Sequence, residues 1–318
     1  MTLSPGPPTT PTTYRKPKRS FWRTARDQYQ LYLMLLPFAV MVFVFQYLPI
    51  WGWITAFQKY RPGRPLWEQQ WVGLDNFVKL FQDERFYLAL KNTLAMSLLT
   101  FVLGFAVPIA FALLLNELRS VLFKRTVQTI SYLPHFVSWV VVAGLVYKML
   151  STDGGPVNQL LVNLGQEPVP FMAKPEYFWF IVVLSDIWKE MGWNTIIYLA
   201  AITAIDPALY DAAKVDGAGR WQQMRHVTLP GMQPVITVLL VLAVGHLMTI
   251  GFEKQLLLGN PIVYEKSVVL DLFALQAGIN SNNFSFGTAI GIVNSLVGLA
   301  LLFLANWFFK RRTGESVI

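Results

Sequence analysis

Long apolar stretches separated by polar ones dominate this chain: Leu31–Ala56, Thr93–Leu115, Ile130–Leu150, Phe178–Ala201, Val235–Phe252 and Thr288–Phe309. A helix rises 1.5 Å per residue, so about twenty apolar residues cross the ~30 Å hydrocarbon core of a bilayer, and each stretch predicts a transmembrane helix. Strand-like alternation is weak throughout, whereas a transmembrane barrel needs shorter segments of period two. The pattern therefore predicts an all-α, polytopic membrane protein of six transmembrane helices, with no soluble second domain and no internal repeat. Its expected organisation is a cytoplasmic tail over 1–29, a six-helix domain over 30–313 that includes a polar loop at 206–233, and a short tail over 314–318. The first dozen residues, rich in Pro and Thr, read as a flexible tail. The first apolar stretch is too long for a secretory signal and lacks a small-x-small cleavage site, so a retained span is expected.

Composition agrees with this reading. With 54% hydrophobic residues, 14% charged residues and a mean hydropathy of +0.43, the chain is too apolar for a soluble domain of 318 residues. Its net charge of +8 taken alone would suggest nucleic acid, but its distribution fits the positive-inside rule better. Basic residues cluster at Arg15, Lys16, Lys18, Arg19, Arg23 and Arg26, at Arg119, Lys124 and Arg125, at Lys214, Arg220 and Arg225, and at Lys310, Arg311 and Arg312. Both termini and the 206–233 loop are accordingly expected in the cytoplasm, and no nucleic-acid partner is expected. The absence of cysteine removes disulfides and thiolate metal sites. His135, His226 and His246 belong to different segments, so no metal site is expected. No Gly-Lys pair is followed by Ser or Thr, so the phosphate-cradling loop of an ATPase is missing. No nucleophile with its base is apparent either. The expectation is a transport subunit with no catalytic residue and no cofactor of its own.

The loop between the fourth and fifth stretches carries the most specific pattern. Asp206 suits an N-cap and Pro207 the first helical position. Asp211-Ala212-Ala213 follows, then Gly217 after three residues, Val227 after nine more, and Leu229-Pro230. Gly217 and Gly219 predict a break, and Arg220–Thr228 a second short helix that stops before Pro230. A DNA-binding helix-turn-helix shares this outline, but membrane-length segments tether the loop on both sides. The fixed spacing closely resembles the E-A-A-x3-G-x9-I-x-L-P loop of permease subunits in binding-protein-dependent ATP-binding-cassette importers, with Asp211 for the usual Glu and Val227 for the usual Ile. That resemblance implies a coupling helix that docks in a groove of a cytoplasmic ATPase, and it assigns Asp211, Ala212, Ala213, Gly217, Val227, Leu229 and Pro230 to that contact.

Other stretches resemble the lipoprotein-associated polysaccharide and oligosaccharide permeases, a branch near the maltose-system permeases. These are Val72–Phe77, Asn92-Thr93-Leu94, Lys266–Asp271, Gly278, Phe284–Gly291 and Asn294-Ser295, and with the loop they extend the resemblance over most of 30–315. The resemblance implies a second homologous permease, two ATP-binding subunits that hold the ATP and Mg, an extracytoplasmic solute-binding protein and an oligosaccharide cargo, all at a bacterial inner membrane. The branch includes importers of uronic-acid oligomers such as alginate and aldouronate, so an acidic, alginate-type oligomer is the expected cargo and a neutral oligosaccharide the alternative. An ion-coupled secondary transporter commonly has inverted repeats and broken helices, and neither is evident in the sequence.

Candidate pathway residues come from polar groups inside the apolar stretches. Asp186, Lys189, Glu190, Trp193 and Asn194 recur at steps of three or four and share one helical face. Ionisable groups at membrane depth face a cavity or a partner helix. Two readings stand open: this face borders a sugar pathway, with Trp193 stacking on a pyranose ring and Asn194 bonding hydroxyls, or Asp186 and Lys189 form a pair that holds the bundle together. His246, Met248, Thr249 and Phe252 in the fifth stretch and Asn294 and Ser295 in the sixth are further candidates, although groups such as Asn294 often join membrane helices. Leu74, Phe77, Val78 and Phe81 lie at helical spacing and predict a helix at the membrane surface.

Overall fold

Within lipid, a single segment of chain can satisfy all its backbone N–H and C=O groups only as a helix, and the apolar stretches fold accordingly. The computed structural model describes residues 28–313 except His246 and Thr249. The expectations for residues 1–27 and 314–318, and for those two pathway candidates, fall outside the described residues. Described strand structure is one short antiparallel ladder, β1 (Gln58–Lys59) against β2 (Gln70–Trp71), with Gln58 opposite Trp71. The all-α expectation holds.

The chain divides into two units after Trp53. The first contains α1 (Tyr29–Val42), which continues through a π turn at Phe43–Tyr47 into 3-10 turns from Leu48. Its side chains are apolar on every side and Leu31, Leu35, Phe38 and Phe45 are exposed, as a helix in lipid requires.

The second unit begins with α2 (Asp75–Gln82) and the long α3 (Glu84–Asn116). α4 (Val121–Tyr132), α5 (Trp139–Leu150), α6 (Pro156–Asn163) and α7 (Pro175–Thr203) follow. α8 (Pro207–Val215), α9 (Arg220–Gln223) and α10 (Leu229–Gly245) come next. The unit closes with α11 (Glu253–Leu258), α12 (Tyr264–Ser267), α13 (Leu270–Leu275) and α14 (Phe284–Thr313). Four helices, Tyr29–Phe57, Glu84–Asn116, Arg220–Gly245 and Phe284–Leu304, are long and apolar enough to cross a membrane, and two bent pairs raise the number to as many as six.

One bent pair departs from the sequence expectation. Ile130–Leu150 is not a single helix: Val121–Phe136 and Trp139–Leu150 meet at 107°. Pro134 withholds a backbone donor, and Ser138 opens a new helix by accepting from the Val141 N–H at 3.5 Å. α2 turns Asn76 and Leu80 inward, while Leu74, Val78 and Phe81 are exposed, so a helix with an exposed apolar face forms where the spacing predicts one. Asp83 caps α3 by accepting from the Arg85 N–H at 2.9 Å. Its hydrogen bond from the Arg85 guanidinium holds the carboxyl below its ordinary pKa, against the opposing effect of burial.

α3 packs along α7, and the stretch Lys266–Asp271 lies between two apolar clusters. Val268 and Leu270 join Leu80, Phe86, Phe273 and Ile290, while Val269 and Leu272 join Met96, Phe178 and Leu258. Asn92 donates to the carbonyls of Glu265 and Val268 at 2.9 and 2.8 Å, and the Thr93 hydroxyl accepts from the Leu270 N–H at 2.9 Å. The Asn92-Thr93 pair and Lys266–Asp271, far apart in sequence, are thus two halves of one junction. Ser285 and Thr288 likewise tie α14 to Tyr60 and Thr55.

Candidate functional site

The polar face of α7 meets the break between α4 and α5. A helix end leaves carbonyls unpaired, and a cation there is favourable. Lys189, only 6% exposed, donates its ammonium to the His135 carbonyl at 2.7 Å and to Glu190 at 3.0 Å. The other Glu190 oxygen lies 2.7 Å from His135 Nδ1. The His135 ring stacks parallel on Trp193 at 4.4 Å, with Phe136 edge-on to the same indole at 5.6 Å. Lys189 is the buried member of this network, and removing Glu190 would leave its ammonium with the His135 carbonyl as its remaining partner here.

Asp186 does not pair with Lys189, which corrects that part of the sequence reading. Its partner is Lys254, at 2.8 Å. Residues 186 and 189 lie about 60° apart around the helix axis, and Lys189 turns toward the broken span while Asp186 turns toward α11. The Lys254 ammonium also lies 5.6 Å from the centre of the Trp139 ring, near enough for a cation–π contact.

Asp186, Glu190, Asn194 and Lys254 line a cavity of about 370 Å³ bounded by α3, α7, α10 and the chain entering α11. Ser97, Thr100, Phe105 and Tyr198 contribute to its wall. Glu190 and Asn194 are therefore brought together as expected. Trp193 is on a neighbouring face, 42% exposed and engaged by His135, and is not part of this lining. Asn294 lies elsewhere, in a second cavity with Met248, Asp271 and Ser295, where it donates to Asp271 at 2.9 Å and to the Met248 carbonyl at 3.4 Å. Those bonds join α14 to α13 and to the end of the fifth span, a packing arrangement. Phe252 is partly exposed just before α11.

Sequence reasoning missed Lys254 and His135 as site residues. Each supplies its contact to α7 from more than fifty positions away. The available signal was an isolated charge: Lys254 precedes Gln255-Leu256-Leu257-Leu258 and His135 follows Tyr132-Leu133-Pro134, apolar surroundings in which a polar group needs a partner.

The loop after α7 forms the expected hairpin. Asp206 accepts from the Ala208 N–H at 2.9 Å and Pro207 opens α8. Gly217 takes φ +79°. The Ala218 N–H donates to the Ala213 carbonyl at 2.9 Å and the Gly217 N–H to Lys214 at 3.0 Å, a Schellman closure that needs a left-handed residue. Gln222 reaches back to the Gly219 N–H at 2.8 Å and so starts α9.

The second hairpin helix does not stop before Pro230. Arg220–Gly245 runs on as one helix through a π turn at Met224–Thr228. The wider turn accommodates the donor that Pro230 lacks, and the Thr228 hydroxyl donates to the Gln223 carbonyl at 3.4 Å. Asp211, Ala212, Gly217, Leu229 and Pro230 are exposed, while Ala213 and Val227 are half-buried. Leu209, Val215 and Trp221 add exposed apolar surface to the hairpin. The Tyr210 and Thr228 hydroxyls, 3.0 Å apart, tie its two arms together.

Residues 103–313 match the family of binding-protein-dependent transport system inner membrane components. The chain is 46% identical to the polygalacturonan/rhamnogalacturonan transport system permease protein YteP of Bacillus subtilis (strain 168), covering 95% of this chain and 94% of that one. It is 30% identical to the arabinooligosaccharides transport system permease protein AraP of the same organism, over 89% of this chain and 90% of that one. Among solved structures it resembles a chain of a bacterial alginate ABC transporter in complex with an alginate pentasaccharide-bound periplasmic protein, with TM-score 0.85, 42% identity and coverage of 93% and 99%.

Proposed function

Because the chain belongs to the family of inner membrane components of binding-protein-dependent transport systems, we propose that it lines the cargo path of an ATP-driven importer of acidic oligosaccharides built of uronic acids. It is a multi-pass protein of the inner membrane and a transport component. The observation that carries the proposal is the cavity beside α7, mostly apolar with a few charged, hydroxyl and amide groups, set among helices of membrane length. Hydroxyl, amide and aromatic groups there (Ser97, Thr100, Asn194, Phe105, Tyr198) suit a polyhydroxylated ring.

The acidic cargo draws on the relatives. The 46% and 42% identical relatives are named for polygalacturonan/rhamnogalacturonan and for alginate, chains that carry uronic acids, and the arabinooligosaccharide permease is more distant at 30%. Uptake into vesicles holding the whole transporter, with its binding protein outside and ATP inside, decides the cargo. Uronate oligomers are expected to enter faster than matched neutral ones, and preferential uptake of the neutral series overturns the uronate assignment. ATP hydrolysis stimulated by the loaded binding protein separates this reading from an ion-coupled carrier.

In this proposal a second homologous permease completes the path, and two ATPase subunits carry the ATP and Mg that this chain does not bind. The 206–233 hairpin is their docking element, with both termini on the same cytoplasmic side. Exposed Leu209, Val215 and Trp221 beside charged Asp211 and Arg220 support a protein contact. The path assignment has its own test in this naturally cysteine-free chain. Asn194→Cys is expected to react with a water-soluble thiol reagent in at least one state of the cycle, and protection in every state would remove the cavity from the path.

A further inference from the structure

We infer that Lys254 is the group that recognises charge on the cargo inside the membrane, with Asp186 as the anion it leaves when a cargo carboxylate arrives. The inference deepens the acidic-cargo reading and rests on it. Three charged side chains line the cavity: Asp186, Glu190 and Lys254. Glu190 is already committed, one oxygen to Lys189 and the other to His135. Lys189 is buried behind that contact and does not reach the lining. Among the described lining residues, Lys254 is the cation a uronate can meet.

Its surroundings suit an exchange. The Lys254 and Asp186 side chains are 12% and 15% exposed, so neither charge is well solvated and each holds the other in the absence of cargo. An ammonium carries three donors. Asp186 takes one and the Trp139 ring lies 5.6 Å from the ammonium without accepting a conventional hydrogen bond, which leaves capacity for a second carboxylate without deprotonating anything. A neutral sugar offers Lys254 no charge to replace Asp186, whereas a uronate does. Without the lysine, an arriving carboxylate would face Asp186 with no cation beside it, and poorly solvated like charges repel strongly.

Two variants separate this role from that of a structural ion pair, because the two roles predict opposite orders. Asp186→Asn removes the competing anion but keeps an oxygen to accept from the ammonium. The double variant Asp186→Asn with Lys254→Gln removes both charges and leaves no orphan. If the pair only holds the bundle together, the double variant is the healthier protein and Asp186→Asn the damaged one. If Lys254 recognises the cargo, Asp186→Asn takes up uronate oligomers faster than the double variant, which loses about tenfold or more relative to it, the worth of one charge-assisted hydrogen bond.

The measurement is the initial rate of uronate-oligomer uptake by the complete transporter in vesicles, normalised to assembled complex on a sizing column. Uptake by the double variant equal to or above that of Asp186→Asn overturns the inference and leaves the acidic cargo intact. Wild-type transporter that ignores uronate oligomers but imports neutral ones removes the cargo reading itself, and the role of Lys254 with it.

Discussion

Replacing Gly217 by valine is expected to leave the transporter assembled in the membrane while lowering transport about tenfold or more, the equivalent of ~1.4 kcal/mol at a step the hairpin must transmit. A left-handed conformation costs an ordinary residue roughly 1–2 kcal/mol, and a β-branched one tolerates it worst. Valine therefore drives residue 217 away from φ +79°, breaking the closure in which Ala218 and Gly217 donate to Ala213 and Lys214. α9 then leaves α8 in a different direction. No Cβ clash adds to this, because nothing lies within 4 Å of the added atom, so the defect is one of geometry.

Asp211→Lys approaches the same surface through charge. Asp211 is exposed and its ion pair with Lys214, 2.9 Å, is at the surface, where such pairs contribute about 0–1 kcal/mol. A large loss of transport in that variant would report on what Asp211 meets across the interface. Uptake and binding-protein-stimulated ATP hydrolysis are the measurements, and wild-type transport by both well-expressed variants overturns the coupling assignment.

Gly192→Leu is expected to prevent the second unit from folding. A Cβ at this position would lie 2.0 Å from the Ser131 carbonyl oxygen and 2.4 Å from its carbon. These are backbone atoms at the end of α4, one turn before the break, and they cannot rotate aside as a side-chain tip can. Overpacking costs about 1–3 kcal/mol where neighbours can yield, and here α7 must separate from the segment that Lys189 and Glu190 hold. The expected result is loss of monodisperse protein after detergent extraction, with Gly192→Ala reduced in melting temperature. Gly144→Ala, in α5 with nothing within 4 Å of the added atom, is the control and is expected to be neutral or slightly stabilising. Normal yield and melting for Gly192→Leu would show that α4 and α7 are not packed this closely.

What was legible in the sequence followed from local rules. Apolar stretches of bilayer length gave the spans, and Asp206-Pro207, Gly217 and Gly219 gave the hairpin, because capping and left-handed turns depend on a few adjacent residues. The polar face of α7 was legible for the same reason. Its partners were not. Asp186 and Lys189 are near neighbours on one helix, yet each found a better-placed group on another segment, and only tertiary packing decides that. The 107° bend within the third span was also hidden, since Pro134 inside an apolar run permits a straight, kinked or broken helix. Likewise Pro230 read as a stop, because the compensating π turn has no signature of its own.

That π turn lets the second arm of the hairpin run on into the fifth span without a break. Arg220–Gly245 is a single 26-residue helix, a rod of about 39 Å, whereas the other arm of the hairpin reaches α7 through a 70° elbow. The two arms thus differ mechanically. If the helix moves as one piece, about 5° of tilt sweeps its far end through roughly 3 Å, whereas α8 would pass the same displacement on through the elbow beside Asp206. The far end, at Gly245, lies nine residues before Lys254, the partner of Asp186. On the proposed coupling role of the hairpin, shaft and elbow would convert a displacement of the hairpin into a stroke toward the cavity.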